Sequence, residues 1–328
     1  MRNRTIQDQL TKYLTDVHSI EVQAMEQMKV APRLARGGRL AEAFHAHRDE
    51  TRAHERLVRE ELGRRGADAS RLKDAAGRVG GWAMVAFARM NPDTPGKLTA
   101  HAFSYEHMEL AAYELLGRMA QRADDLALAA LAKAIGDQER AMSKRLADCF
   151  DEAVDASLHR TGHADIASAL VSYLTDARAI EAQAIVLLES GSRMAGVPEL
   201  ADVLTEHLEE TRGHKRLLED RLRAHDAKPS RFENTALGIG GANLGAFFAA
   251  QPDTPVKLAG FAYAFEHLEI AAYELLRRVA ERAADPETAA AAEQILVDER
   301  RAAEQVAATW DAAVDVVLGN LVAGPAHA

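Results

Sequence analysis

Acidic side chains lie on the apolar stripe of every helix that the sequence predicts in its first 160 residues. In the first helix, Glu21 continues the three- and four-residue spacing of Leu14 and Val17 and therefore faces the same side. The other three predicted helices also place acids on their apolar stripe, and the second helix adds a histidine. An equivalent set follows 160 residues later. The inward-facing residues are Glu21, His47, Glu50, Glu106, Glu109 and Glu139, then Glu181, His207, Glu210, Glu266, Glu269 and Glu299.

Carboxylates gathered in an apolar interior must be neutralised. An ionised carboxylate that leaves water for such an interior costs several kcal/mol, and repulsion between neighbouring carboxylates adds to that cost. Five glutamates in each set carry −5, against which two divalent cations supply +4. Carboxylate oxygen with imidazole suits iron or manganese, whereas zinc prefers fewer ligands and more nitrogen or sulfur. We therefore expect two iron ions, or two manganese ions, in each set.

Four helices in each half must position these residues. Apolar periodicity and the Gly, Pro and Asp signals predict them, in the first half, at about 5–35, 40–64, 93–122 and 124–158. Pro32 is expected to kink the last turns of the first helix. About 30 residues separate the second helix from the third, with room for a short helix at 70–89. Two short connections and one long one predict a four-helix bundle with a single crossover, the ferritin-like connectivity.

The chain repeats itself at an offset of 160 residues. Glu106–Leu116 matches Glu266–Leu276 at nine of eleven positions, and Tyr13-Leu14-Thr15-Asp16 returns as Tyr173-Leu174-Thr175-Asp176. A period of this length is a whole domain and not one unit of a solenoid. The predicted fold is all-α, with one bundle at 1–160 and a second at 161–328 that ends in a short C-terminal tail.

Composition excludes several other classes of protein. The net charge of −10 argues against a broad nucleic-acid-binding face. Cys149 is the single cysteine, so no disulfide within the chain points to an oxidising compartment. We expect neither a signal peptide nor a membrane-spanning helix, because the sequence lacks the apolar runs that these need. We expect a cytoplasmic protein that binds neither nucleic acid nor membrane.

A family resemblance rests on three blocks of the sequence. They are His47-x-x-Glu50-Thr51, Glu106-His107-Met108-Glu109 running on to Tyr113, and Asp137-Gln138-Glu139, with Asp16 and Glu21 upstream. Together they resemble the YciF-like family of ferritin-like domains over nearly all of each repeat. The resemblance implies a dinuclear metal centre and an association with stress responses. The Glu-x-x-Glu of the third helix is also similar to rubrerythrin, where both acids can serve the metals.

One departure from the ferritin-like pattern concerns the fourth helix, where Met142 and Ala302 stand in place of a histidine ligand. Glu109 and Glu269 could replace that ligand and make the two metal positions unequal.

Within each bundle, the expected roles differ between residues. In the first, Glu50 and Glu139 would bridge the ions, Glu21 and Glu106 would terminate the two ends, and His47 and Glu109 would complete the coordination. We favour His47 and His207 as the imidazole ligands. The alternates, as ligands or supporting groups, are His54, His214, Tyr113, Tyr273, Asp16 and Asp176.

Two functions from different classes remain open. The first is a di-iron or di-manganese metalloprotein that reacts with dioxygen or peroxide, in iron oxidation or oxidative-stress protection, as a ferroxidase- or peroxidase-type oxidoreductase. The alternative is a non-catalytic, stress-related helical interaction module, with structural metal or protonated acids. We also expect the two repeats to pair as a pseudo-dimer within one chain, a contact that would make cage formation unnecessary; the sequence does not determine further oligomerisation.

Overall fold

The computed structural model describes residues 5–35, 37–67, 94–161, 166–227 and 254–323. These residues are helical apart from short turns, and none of them forms a strand. The first repeat contains α1 (Ile6–Met28), α2 (Ala31–Ala35), α3 (Gly38–Arg64), α4 (Thr94–Arg122), α5 (Leu126–Ala147) and α6 (Phe150–Thr161). The second contains α7 (Ile166–Met194), α8 (Pro198–Ala224), α9 (Thr254–Arg282), α10 (Pro286–Ala308) and α11 (Trp310–Ala323). The predicted all-α class is confirmed.

Four long helices in each repeat enclose an apolar core. In the first repeat α1 packs on α3 and α4, and α5 packs on α4 and α3. In the second, α7 packs on α8 and α9, and α10 packs on α9 and α8. Leu14, Phe44 and Leu115 are among the fully buried side chains of the first core. The central helices therefore surround one interior on all sides, as binary patterning requires.

The chain divides into two compact units. One runs to Ser157 and includes the residues from Leu318 onward, and the other is Leu158–Val317. The expected crossover and the short helix at 70–89 lie outside the described residues. Within the described residues, no helix has the combination of length and apolarity that crossing a membrane demands.

The first predicted helix is broken and not merely kinked. It ends at Met28, and a five-residue helix follows from Ala31. Pro32 has no backbone N–H to donate to the carbonyl four residues earlier, but at the second position of a helix that donor is not needed. Ser192 replaces the proline in the second repeat, where α7 continues without interruption to Met194.

The last predicted helix is also divided in each repeat, so the expectation of one helix to 158 is wrong. α5 ends at Ala147 and α6 begins at Phe150. Between them the backbone N–H of Cys149 donates to the carbonyl of Leu146 at 2.9 Å, a tighter three-residue bond that ends the α-helical pattern. The second repeat has the same break at Thr309. Both breaks lie beyond the acidic residues Glu139 and Glu299, which the preceding helices carry.

Candidate metal centre

Four helices of the first repeat each contribute to a buried cluster of acids and imidazoles. Glu21 comes from α1, His47 and His54 come from α3, and Glu139 comes from α5. The helix α4 provides Glu106 and Glu109. All six side chains are at most 1% exposed. The bundle therefore holds four carboxylates and two imidazoles out of contact with bulk water.

These six residues form two groups that share one carboxylate. His47, Glu106, Glu109 and Glu139 offer ligand atoms that lie within 4.8 Å of one another, and so do Glu21, His54 and Glu139. Nε2 of His47 is 3.1 Å from Oε2 of Glu106 and 3.4 Å from Oε2 of Glu139. Nδ1 of His54 is 2.7 Å from the other oxygen, Oε1, of Glu139. Glu139 thus directs one oxygen to each group.

The second repeat reproduces this geometry with equivalent residues. Nε2 of His207 is 3.1 Å from Oε2 of Glu266 and 3.2 Å from Oε2 of Glu299. Nδ1 of His214 is 2.9 Å from Oε1 of Glu299 and 3.7 Å from Oε1 of Glu181. The two groups are His207, Glu266, Glu269 and Glu299, and Glu181, His214 and Glu299. Two independent copies of the sequence therefore fold to the same constellation.

Glu50, which the sequence pattern predicts as a bridge between the ions, does not join either group. Its Oε2 accepts from Nδ1 of His47 at 2.9 Å, on the side of the ring that faces away from the cluster. Arg145 donates to both oxygens of Glu50, at 3.2 and 2.5 Å. The Glu50 side chain is 30% exposed. Glu50 orients an imidazole and is itself held by a cation, as carboxylates behind metal-binding histidines commonly are.

Glu210 contacts His207 as Glu50 contacts His47, but a different arginine holds it. It accepts from Nδ1 of His207 at 3.1 Å, while Arg301 donates to its Oε1 at 2.6 Å. Sequence reasoning missed both arginines, because they lie at different helix positions in the two repeats and leave no repeated pattern. Glu210 likewise takes no part in the two groups.

Both histidines of α3 face the cluster, so the choice between His47 and His54 was unnecessary. Residues seven apart on a helix differ by only about 20° around its axis, whereas residues three apart differ by about 60°. His54 therefore lies above His47 on one line, and Glu50 lies at the edge of that line. The sequence alone gives these angles. They separate His47 and His54, which face the cluster, from Glu50 beside them.

The alternate residues have distinct positions. The hydroxyl of Tyr113 donates to Oε1 of Glu21, and that of Tyr273 donates to Oε1 of Glu181. These contacts orient a carboxylate, one of the roles considered for the tyrosines. Asp16 lies outside both groups and pairs with Lys12 at 3.4 Å. Asp176 also lies outside the groups.

A shortage of hydrogen-bond donors around these carboxylates makes the cluster one that could hold cations. Both oxygens of Glu106, Glu109 and Glu139 are buried without a hydrogen-bond partner, as is Oε2 of Glu21. Nε2 of His47 and Nδ1 of His54 likewise form no hydrogen bond of regular geometry and contact the carboxylates only at ion-pair distances. Buried polar atoms are almost always paired in folded proteins, and such a concentration of exceptions requires an explanation. The donor set of carboxylate oxygens and imidazole nitrogens fits iron or manganese.

The charges of the grouped residues also balance two divalent cations in each repeat. With Glu50 paired to Arg145, the groups contain four carboxylates, Glu21, Glu106, Glu109 and Glu139, so their full ionisation gives −4. Two divalent cations with two neutral imidazoles cancel this charge.

When no cation is bound, protons neutralise the buried carboxylates. Burial, reinforced by the charge of Glu139, raises the pKa of Glu21 to about 8. Burial likewise raises the pKa of Glu106 to about 7 and that of Glu109 well above its usual range. Burial opposes a charged ring at His54, but the contact with Glu139 prevails and raises the pKa of His54 to about 9. The imidazolium rings then carry positive charge at the positions that a cation would take.

The family comparison agrees with the internal repeat. The family described as a domain of unknown function (DUF892) matches residues 5–159 and again residues 166–316. The chain belongs to the DUF892 family. Its two DUF892 segments each contain one complete buried cluster, so the duplication of the sequence is also a duplication of the candidate site. No solved structure matches this DUF892 chain.

Proposed function

We propose that each DUF892 repeat is a ferritin-like domain that binds a pair of iron ions, or of manganese ions, and reacts with dioxygen or peroxide. The observation that carries this proposal is the carboxylate of Glu139, and of Glu299 in the second repeat, shared between two buried groups of unsatisfied ligand atoms. A carboxylate directed to two ligand groups is the expected core of a dinuclear site.

The residues would divide between two positions. His47, Glu106 and Glu109 would hold one ion, Glu21 and His54 would hold the other, and Glu139 would contact both. A pair of such ions supplies two electrons to an oxidant, which one ion of either metal does not readily do. Iron oxidation and oxidative-stress protection are the functions that we propose for this chemistry.

The protein's own contribution is to orient the ligands and exclude water. Glu50 fixes the ring of His47 through Nδ1 and leaves Nε2 directed into the cluster. The hydroxyl of Tyr113 occupies Oε1 of Glu21 and leaves Oε2 as the atom without a hydrogen bond. Because Glu106 and Glu139 are fully buried, bulk water does not compete for their oxygens, and electrostatic attraction to a cation is correspondingly stronger.

Anaerobic loading with ferrous iron, followed by elemental analysis, tests the proposal. We expect about four irons per chain, two for each repeat. Glu139→Gln should reduce this value to about two, because it removes the shared carboxylate of one repeat and leaves the other repeat intact. Glu60→Gln is the matched control, since Glu60 lies on α3 with an exposed side chain that pairs with Arg56; it should leave the iron content unchanged.

A second candidate function is a non-catalytic interaction module whose acids remain protonated or hold metal structurally. The raised pKa values of Glu21, Glu106 and Glu109 favour it, since they show how the cluster can persist without cations. Iron content near zero would support the protonated form of this candidate. Bound iron that fails to react with either dioxygen or peroxide would support the structural form.

A further inference from the structure

The ligand groups of the two repeats are identical in residue type, but the contact behind the second histidine of each group differs. Nε2 of His54 contacts the side-chain amide oxygen of Gln138 at 3.0 Å. The corresponding atom of His214 contacts a carboxylate oxygen of Asp298 at 3.1 Å. Gln138 and Asp298 are equivalent positions, each directly before the shared glutamate. A neutral partner in the first repeat is thus replaced by a charged one in the second.

We infer that the two metal centres are unequal, and that Asp298 makes the second repeat bind its divalent cation more tightly than the first. This inference rests on the proposed function. The ring nitrogen that faces Asp298 is opposite the one that faces Glu181 and Glu299. A carboxylate on the outer nitrogen raises the basicity of the inner one and fixes the ring, whereas an amide oxygen does so less strongly.

The charges around each centre add to this difference. In the first repeat, Glu50 and Arg145 cancel, and Gln138 is neutral, so the outer residues sum to zero. In the second repeat Arg301 contacts both Glu210 and Asp298, at 2.6 and 2.8 Å. Two acids against one arginine leave −1 among the residues behind the histidines of the second repeat. These residues thus carry one more negative charge than their counterparts in the first repeat, and that charge attracts a cation.

The size of the effect is moderated by solvent. Asp298 is 25% exposed and shares its charge with Arg301. Loss of such an outer partner commonly weakens metal affinity by about 10- to 100-fold, and partial exposure favours the lower end of that range. We expect the dissociation constants of the two centres to differ by about ten-fold, which corresponds to about 1.4 kcal/mol.

The duplicated chain offers its own matched pair for the test. Glu299→Gln leaves the first centre alone, and Glu139→Gln leaves the second alone, so Co²⁺ binding to each centre can be measured separately by its visible absorption and by calorimetry. Asp298→Asn in the Glu139→Gln background should weaken Co²⁺ binding by about ten-fold. Gln138→Asp in the Glu299→Gln background should tighten it, because the same charge is introduced there. Asp298→Glu should retain tight binding, which separates loss of charge from loss of packing.

Other positions also differ near the centres, among them His18, which is replaced by the buried Arg178 three residues before Glu181. Tyr105, whose hydroxyl donates to the carbonyl of Ile20 at 2.9 Å, is replaced by Phe265, and Met142 is replaced by Ala302. Each substitution is compared within one repeat, so these differences stay constant. Thermal unfolding of the metal-free variants should show no change large enough to account for altered binding.

The outcomes distinguish this inference from the proposal beneath it. If the unsubstituted chain binds no Co²⁺ at either centre, the metal-binding function fails. If both centres bind Co²⁺ with equal affinity and neither Asp298→Asn nor Gln138→Asp changes it, the function survives and the inequality of the centres is refuted. Weakening by Asp298→Asn with rescue in Asp298→Glu supports the inference.

Discussion

The placement of Glu50 beside His47, and not between the two ligand groups, leads to a prediction that differs from the one made by the sequence pattern. We consider Glu50→Gln in the Glu299→Gln background, where only the first centre remains. A bridging ligand would be lost by this change, and with it the ability to hold two ions. A residue that only orients His47 leaves all ligand atoms of the first centre in place. We therefore expect about two Co²⁺ ions to bind in this variant, with reduced affinity.

The magnitude follows from the contacts of Glu50. Its carboxylate accepts hydrogen bonds from His47, at 2.9 Å, and from Arg145. These bonds, and first of all the one from His47, lower the pKa of Glu50 to about 2. Glutamine keeps an acceptor of the same shape but removes the charge. The loss of such an outer partner costs about 10- to 100-fold in metal affinity, or about 1.4 to 2.8 kcal/mol. Arg145 loses its partner, but at 35% exposure it remains hydrated, so the metal-free fold should lose about 1 kcal/mol or less.

Equilibrium dialysis with Co²⁺ gives both quantities, the number of ions bound and the dissociation constant. Glu60→Gln in the same background controls for the loss of a glutamate from α3. If Glu50→Gln lowers the number of bound ions as far as Glu139→Gln does, Glu50 is a ligand and the geometric reasoning given above is wrong.

Three further predictions concern protonation and stability. Metal binding should release protons at neutral pH and strengthen as pH rises. Burial raises the pKa of Glu21 to about 8. At His54 the contact with Glu139 outweighs burial and raises the pKa to about 9, so both groups hold protons that a cation must displace. Addition of Co²⁺ to a weakly buffered sample would reveal this as a fall in pH, and a constant pH would contradict it. Leu14→Ala should lower the free energy of unfolding by about 3 kcal/mol, because Leu14 is fully buried, while Leu126→Ala, at 73% exposure, should change it by less than about 0.5 kcal/mol. Urea denaturation of the metal-free chains compares the two, and equal effects would refute the assignment of the core. Asp285→Ala should cost about 2 kcal/mol in the same assay, because Asp285 accepts from the first turn of α10 and from the side chains of Arg221 and His225. An unchanged denaturation midpoint would show that this cap contributes nothing.

Helical periodicity made much of the centre predictable. Glu21, Glu106 and Glu139 continue apolar stripes of three- and four-residue spacing, and a bundle buries that stripe whichever partner it packs against. The duplication strengthened the argument, since the same register appears twice in one chain. These residues lie in the buried groups of the structure.

The ends of the helices were less predictable. Pro32 signalled a disturbance, but the difference between a kink and a full break depends on where the next helix packs. The breaks at Cys149 and Thr309 contain neither glycine nor proline, so composition gave no signal for them. They arise from a locally tightened hydrogen bond together with burial of the adjacent Phe150 and Trp310.

By itself, the sequence determined the two repeats, the helical class and the inward position of most of the acids, because these depend on local spacing along one helix. Only the tertiary structure decided that Glu139 directs one oxygen to each histidine of α3 and that Glu50 pairs with Arg145. It alone brought Gln138 and Asp298 behind equivalent histidines. Such contacts join residues from different helices, and the relative rotation and height of packed helices are set by the whole core. No spacing within a single helix encodes them.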